Sequence, residues 1–211
     1  MYVADRKEYV EYQQAGVLFW LLWVVATTLG AFVGRYIEEF VLLNAMLPGA
    51  FDIVTVAAAG AIGGALIGLG QALVLLPYLK RQGAIEWIIA TTLGRIATQI
   101  IFFLYADALA GLFLDNTYTT VCGLIIIRIL FGGVLGLIFA FPQYLVLKQR
   151  TGRAAYWLLA NAGVSMVTTY ISVFTVGIFY GLVTGLVTGY VMVDILRNPT
   201  QRAEWRVREK V

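Results

Sequence analysis

Charged residues in this chain fall in short clusters, and long apolar runs separate them. Residues 12–34 carry no charge, and neither do 53–79. The run 87–106 is broken only by Arg95, and 116–147 only by Arg128. Residues 154–193 are uncharged throughout. A helix needs about 20 apolar residues to cross the hydrocarbon core of a bilayer, so the last run has room for two, with a tight turn around 172–177. The pattern predicts an all-α integral membrane protein with spanning helices over 15–36, 53–79, 85–106, 119–147, 154–173 and 176–196. A segment over 1–14 precedes them and a basic tail over 197–211 follows.

Lys and Arg keep to alternate connections. Arg6 and Lys7 precede the first helix, Lys80 and Arg81 follow the second, and Lys148, Arg150 and Arg153 follow the fourth. Arg197, Arg202, Arg206, Arg208 and Lys210 fill the tail. The other connections carry Glu38, Glu39, Asp52, Asp107 and Asp115 and, outside the helices, no basic residue. This alternation predicts both termini on the cytoplasmic side. The first helix does not read as a removable signal, because Asp5, Glu8 and Glu11 mix with the basic residues and no small-residue cleavage site follows a short apolar core.

A repeat runs through the helices. Residues 23–30 read WVVATTLG, 87–94 read WIIATTLG, and 157–163 read WLLANAG. The even helices share a second phrase: Gly60, Gly64, Gly68 and Gln71 match Gly132, Gly136, Ala140 and Gln143, and Gly177, Gly181, Gly185 and Thr188 fall at the same spacing. The chain therefore reads as three parallel helical hairpins, about 15–79, 85–147 and 154–196, related by rotation about the membrane normal. Lipid tails are as apolar as leucine, so small residues that let backbones approach hold such helices together. Ala26, Gly30 and Gly34 form one such stripe, and Ala90, Gly94 and Thr98 another. The tryptophans are expected at the cytoplasmic interface. Thr27, Thr28, Thr91, Thr92 and Asn161 are expected to bond across helices or back to their own turn, and Gln71 and Gln143 across helices. A polar path lined by the threonines is the competing reading. Pro77 and Pro142 are expected to kink their helices.

Composition narrows the chemistry. The chain is 61% hydrophobic and 13% charged, against about a quarter charged in soluble domains. It has no histidine, which removes the commonest metal and haem ligand and the usual general base. Its one cysteine, Cys122, sits in an apolar run and reads as a small buried hydrophobe. No nucleotide loop, zinc spacing or Ser/His arrangement occurs, so no catalytic, cofactor or metal residue is assigned and no haem or metal is expected. The net charge of +3 is explained by where the charges lie and needs no nucleic acid.

The arginines inside the apolar runs stand out, because a charge deep in a bilayer is costly and marks a partner or a site. At 1.5 Å per residue, Arg95 lies about 16 Å from the start of its helix, and Arg128 lies about 12 Å into its own from the other side. Both fall near the midplane, where no Asp or Glu is expected and Gln99, one turn from Arg95, carries no charge. Four arrangements would satisfy them: snorkelling to water and backbone carbonyls, an acceptor from a partner subunit or lipid, a bound anionic solute, or Asp107 or Asp115 folding in to Arg128. Arg35 lies further out, placed for a local pair with Glu38 or Glu39. The tail, with Trp205 among its basic residues, suits an anionic membrane surface; docking to a partner is the alternative.

The repeated Trp–Ala–small–Leu–Gly and glycine-ladder–Gln phrases resemble a group of uncharacterised bacterial polytopic membrane proteins built from such hairpins. The resemblance covers most of the chain and implies the fold and a bacterial cytoplasmic membrane location, with no activity to transfer. The third hairpin departs from it at Gly163, Val164 and Thr188. Two functions fit: a non-catalytic accessory subunit of a larger membrane complex, or a transporter or channel for a small solute such as an anion. The first draws on uncompensated arginines and on more glycine-rich faces than one bundle needs; the second draws on Arg95 and Arg128 flanked by Thr and Gln. The partners implied are the bilayer and other membrane subunits. A bound lipid or pigment in apolar grooves stays open.

Overall fold

A computed structural model describes residues 15–46, 52–114, 121–171 and 177–197, with side chains over 15–44, 52–105, 126–168 and 178–197. The expectations for the N-terminal segment, the turn at 172–176, the basic tail, and the side chains of Asp107, Asp115 and Cys122 lie outside this set. The described residues form five helices and no strand: α1 Val17–Met46, α2 Ile53–Leu114, α3 Val121–Lys148, α4 Ala155–Ile171 and α5 Gly177–Arg197. Inside a bilayer each backbone N–H and C=O must be bonded within its own segment, so even runs rich in Val, Ile and Thr become helix. Among the described residues, four stretches are long and apolar enough to cross a membrane: Val17–Asn44, Ile53–Tyr105, Ile126–Lys148 and Ile178–Arg197. Leu18, Leu29, Leu73, Ile89, Leu130, Leu159 and Tyr190 point outward from these helices as an apolar exterior suited to lipid.

Two boundaries differ from expectation. α1 continues to Met46 instead of stopping near 36. Its charges do not end the helix because they are neutralised: Arg35 Nε lies 2.7 Å from Glu39 Oε1, one turn on, and Glu38 is buried against another helix, as described below. α2 covers both spans expected over 53–79 and 85–106 and extends to Leu114. Its interruption is Lys80, at φ 57° and ψ 176°, three residues after Pro77, whose ring has no N–H to give the carbonyl of Leu73. The two limbs, 53–79 and 81–114, lie antiparallel, with Gly68 against Ile88 and Gly60 against Ile96. At the other end, Asp52 caps α2 by accepting from the Thr55 N–H at 2.8 Å and its hydroxyl at 2.9 Å. These bonds, the backbone one first, hold the Asp52 carboxyl below the usual carboxylate range. The cap is therefore at full strength above the ordinary carboxylate range and is lost as pH falls through the lowered value.

Close backbone contacts set the order of the segments. A methyl group on Gly30 would lie 2.9 Å from the Cα of Ile67, which places α1 against limb 53–79. On Gly64 it would lie 2.8 Å from the Cα of Thr92, joining the two limbs. Gly94 faces the carbonyl of Phe139 on α3, and on Gly136 a methyl would lie 2.5 Å from the carbonyl oxygen of Asn161 on α4. On Gly181 it would lie 2.8 Å from the Cα of Thr28, and on Gly185 3.0 Å from the Cα of Val24, so α5 returns to α1. With α4 also packed on α5, the segments close into a ring. Gly34, Gly60 and Gly68 line these same seams, and Gly132 is buried. The glycines anticipated as a surplus for other subunits are thus used inside this one chain.

Two substitutions test the seams. Gly64→Ala should cost about 1–3 kcal/mol, because backbone stands in the way, whereas Gly163→Ala, with nothing within 4 Å, should be neutral or stabilising by up to about 1 kcal/mol from helix propensity. Thermal unfolding in detergent reads both. Lys80→Gly should raise the midpoint, since positive φ with extended ψ is almost confined to glycine and costs other residues about 1–3 kcal/mol.

Candidate functional site

The centre of the ring holds two polar layers. The first is built on the repeated tryptophans. Trp23, Trp87 and Trp157 are 0%, 0% and 1% exposed. Their ring centroids are 6.0, 5.9 and 5.4 Å apart, and every pair meets edge to face, a geometry worth about 0.5–1.5 kcal/mol per pair beyond the area buried. They therefore face the interior of the ring and not its lipid-facing exterior. What changes their role is convergence: three segments place an indole at one level, and each N–H finds a partner inside. Trp87 donates to Gln71 Oε1 at 3.0 Å, Trp157 to Gln143 Oε1 at 2.9 Å, and Trp23 to the Thr188 hydroxyl at 3.1 Å. Trp20, one turn before Trp23, is half-buried and donates its N–H to the Leu186 carbonyl.

The glutamines carry the relay onward. Gln71 Nε2 donates to the Thr27 hydroxyl at 3.2 Å, and Gln143 Nε2 to the Thr91 hydroxyl at 2.8 Å. Each glutamine thus ties its helix to both neighbours, as expected of interhelical bonders. Thr91, Thr92 and Asn161 also bond back to carbonyls of their own turn. At the third position the relay is shorter. Thr188 donates its hydroxyl to the Thr184 carbonyl at 2.6 Å, and among the described residues the Thr184 and Thr28 hydroxyls have no protein partner. Leu75, Leu147 and Met192, one turn along from Gln71, Gln143 and Thr188, are all but fully buried.

The second layer answers the question raised by Arg95. Its Nε lies 2.7 Å from Glu38 Oε1 and its Nη2 2.5 Å from Glu38 Oε2, while Gln99 Nε2 donates to Oε2 at 3.0 Å. The Glu38 side chain is 1% exposed and that of Arg95 21%. A carboxylate does therefore reach Arg95, contrary to expectation. Counted from their tryptophans, Glu38 is fifteen residues along and Arg95 eight, an offset of about 10 Å of helical rise. Two long side chains span that offset only where nothing stands between them. Limb 53–79 lies between their helices, and Gly63 leaves the gap: a Cβ there would overlap the Glu38 carboxylate, while Gly64 lies against the Cβ of Arg95. Gly63 was not singled out as a site residue; its place beside Gly64, off the four-residue ladder, was the available signal.

Arg128 is exposed on α3, in an environment unlike that of Arg95, and Arg35 pairs with Glu39 on the exterior. At the tryptophan end, Arg150 binds Glu86 at 2.9 Å and Arg153 binds Asp194 at 2.9 Å. Arg197 donates to the Ala15 carbonyl at 2.7 Å, which ties the end of α5 to the start of α1. Fold and site together define, among the described residues, an all-helical protein of the membrane class, with helices long and apolar enough to cross a bilayer around a buried polar interior. No protein-family model, no curated protein and no solved structure matches this chain.

The buried pair predicts a non-additive result. Glu38→Leu alone should cost about 3–5 kcal/mol, since it strands a cation, and Arg95→Leu should cost a similar amount. The double variant should be less damaged than either single one, because packed apolar groups replace a desolvated pair. Detergent unfolding midpoints of the four proteins form the cycle.

Proposed function

We propose that this chain is a non-catalytic structural or accessory subunit of a larger membrane complex. In this reading it has six spanning segments in three like hairpins, with both termini on the cytoplasmic side of a bacterial cytoplasmic membrane. The observation that carries the proposal is the commitment of the interior to itself: the three indoles, both buried glutamines and the Glu38–Arg95 pair bond across helices. Such a core spends its polar groups on holding the helices to one another. The hairpin reading draws on the recurring bond from each tryptophan to a neighbouring helix. The partner surface is the apolar exterior, where residues such as Phe40, Phe102 and Tyr105 stay exposed near the end of the ring away from the tryptophans. Solubilisation of native membranes in a gentle detergent, followed by size separation and subunit identification, is the test. The chain should migrate with other membrane subunits; recovery only as a free monomer or homo-oligomer would defeat the proposal.

A further inference from the structure

Three donors, Arg95 Nε, Arg95 Nη2 and Gln99 Nε2, converge on one carboxylate at 2.5–3.0 Å. The occupant is not part of the helix that carries the donors. It arrives from α1 on a flexible arm, through the gap left by Gly63. Arg95 uses one edge of its guanidinium on Glu38, and 21% of its side chain remains exposed. We infer that Arg95 and Gln99 form a proton-gated binding site for a small carboxylate, with Glu38 as its resident occupant. The planar fork of a guanidinium matches a carboxylate bidentately, and the resident group shows which ligand chemistry the clamp accepts.

Charge balance makes the gate. Arginine stays protonated under all ordinary conditions, so the Glu38–Arg95 pair has no net charge. A proton added to Glu38 removes that compensation and leaves a cation in apolar surroundings. One free carboxylate taken up by Arg95 restores it. The clamp then holds the free anion, Glu38 is a neutral acid, and one proton and one anion have been taken up together. Among the described residues, no other group supplies the charge. Limb 53–79 has no charged residue, and α4 has none. From α5, Tyr180 lies within electrostatic reach of Arg95, while Asp194 and Arg197 are engaged at the tryptophan end. On α1, Arg35 and Glu39 pair on the exterior, and Arg128 of α3 is exposed. The site would serve an accessory subunit as a sensor or a carrier as its binding step, so its failure leaves the subunit proposal standing.

The test uses the full chain in detergent with acetate as the probe, followed by calorimetry and by proton uptake in weakly buffered solution. The wild type should take up one proton per acetate bound. Its apparent affinity should fall about tenfold per pH unit wherever Glu38 is ionised, because only the protonated fraction is competent. Glu38→Gln should bind acetate without proton uptake and without that pH slope, and Arg95→Gln should not bind. Glu38→Ala, which empties the clamp and leaves the space beside Gly63 open, provides a second route: it should bind acetate without acidification even if Glu38→Gln does not fold. Acetate binding by the wild type with no proton uptake overturns the gate. Equal binding of chloride overturns the carboxylate assignment. Absence of binding in the wild type at acid pH and in whichever of the two variants folds overturns the site.

Discussion

A polar group in the middle of a bilayer has no water to turn to, so it must find its partner in the protein. The ring of segments described here depends on that constraint. Burial of apolar surface does not draw these helices together, since lipid would cover the same surface equally well. Contact between backbones and a few directed bonds take its place. The glycines bring neighbouring helices within reach, and Gln71 and Gln143 then accept from an indole on one side and donate to a threonine on the other. Close approach and bonding depend on each other. A helix pushed outward by one added methyl would also draw its glutamine away from both partners.

The same dependence explains how Glu38 and Arg95 meet. Either charge alone would be costly at this depth, and the segment between their helices would ordinarily keep them apart. Glycine at position 63 leaves the volume that the Glu38 carboxylate fills. The void and the ion pair are thus one structural feature. It differs from the tryptophan layer in one respect that bears on function. The indoles are buried and their bonds are neutral, whereas the Arg95 side chain is partly exposed and its bond joins two charged groups.

The seam around α4 and α5 is the least bound part of the ring. Thr188 stands where the other even segments carry glutamine, and it bonds Trp23 but not Asn161 of α4. The Thr184 hydroxyl is buried without a protein partner, and Gly163 faces open space. These are the positions at which the third phrase of the sequence departs from the first two. A change in two or three letters there removes one cross-helix tie.

The sequence alone determined the membrane-crossing, all-helical class, because the spacing of charges leaves long runs that only a bilayer accommodates. It also marked the glycine seams, the interhelical role of Gln71 and Gln143, and a local partner for Arg35 at Glu38 or Glu39, since each follows from helical periodicity or from neighbours one turn apart; the structure gives Arg35 to Glu39. Tertiary structure decided the rest. The place of the tryptophans depended on three segments bringing their indoles to one level, which no single helix records. The extension of α1 to Met46 depended on the neutralisation of its charges by a residue 57 positions away in sequence. The partner of Arg95 depended on an empty space, and a missing side chain on a third segment has no signature in either helix that uses it.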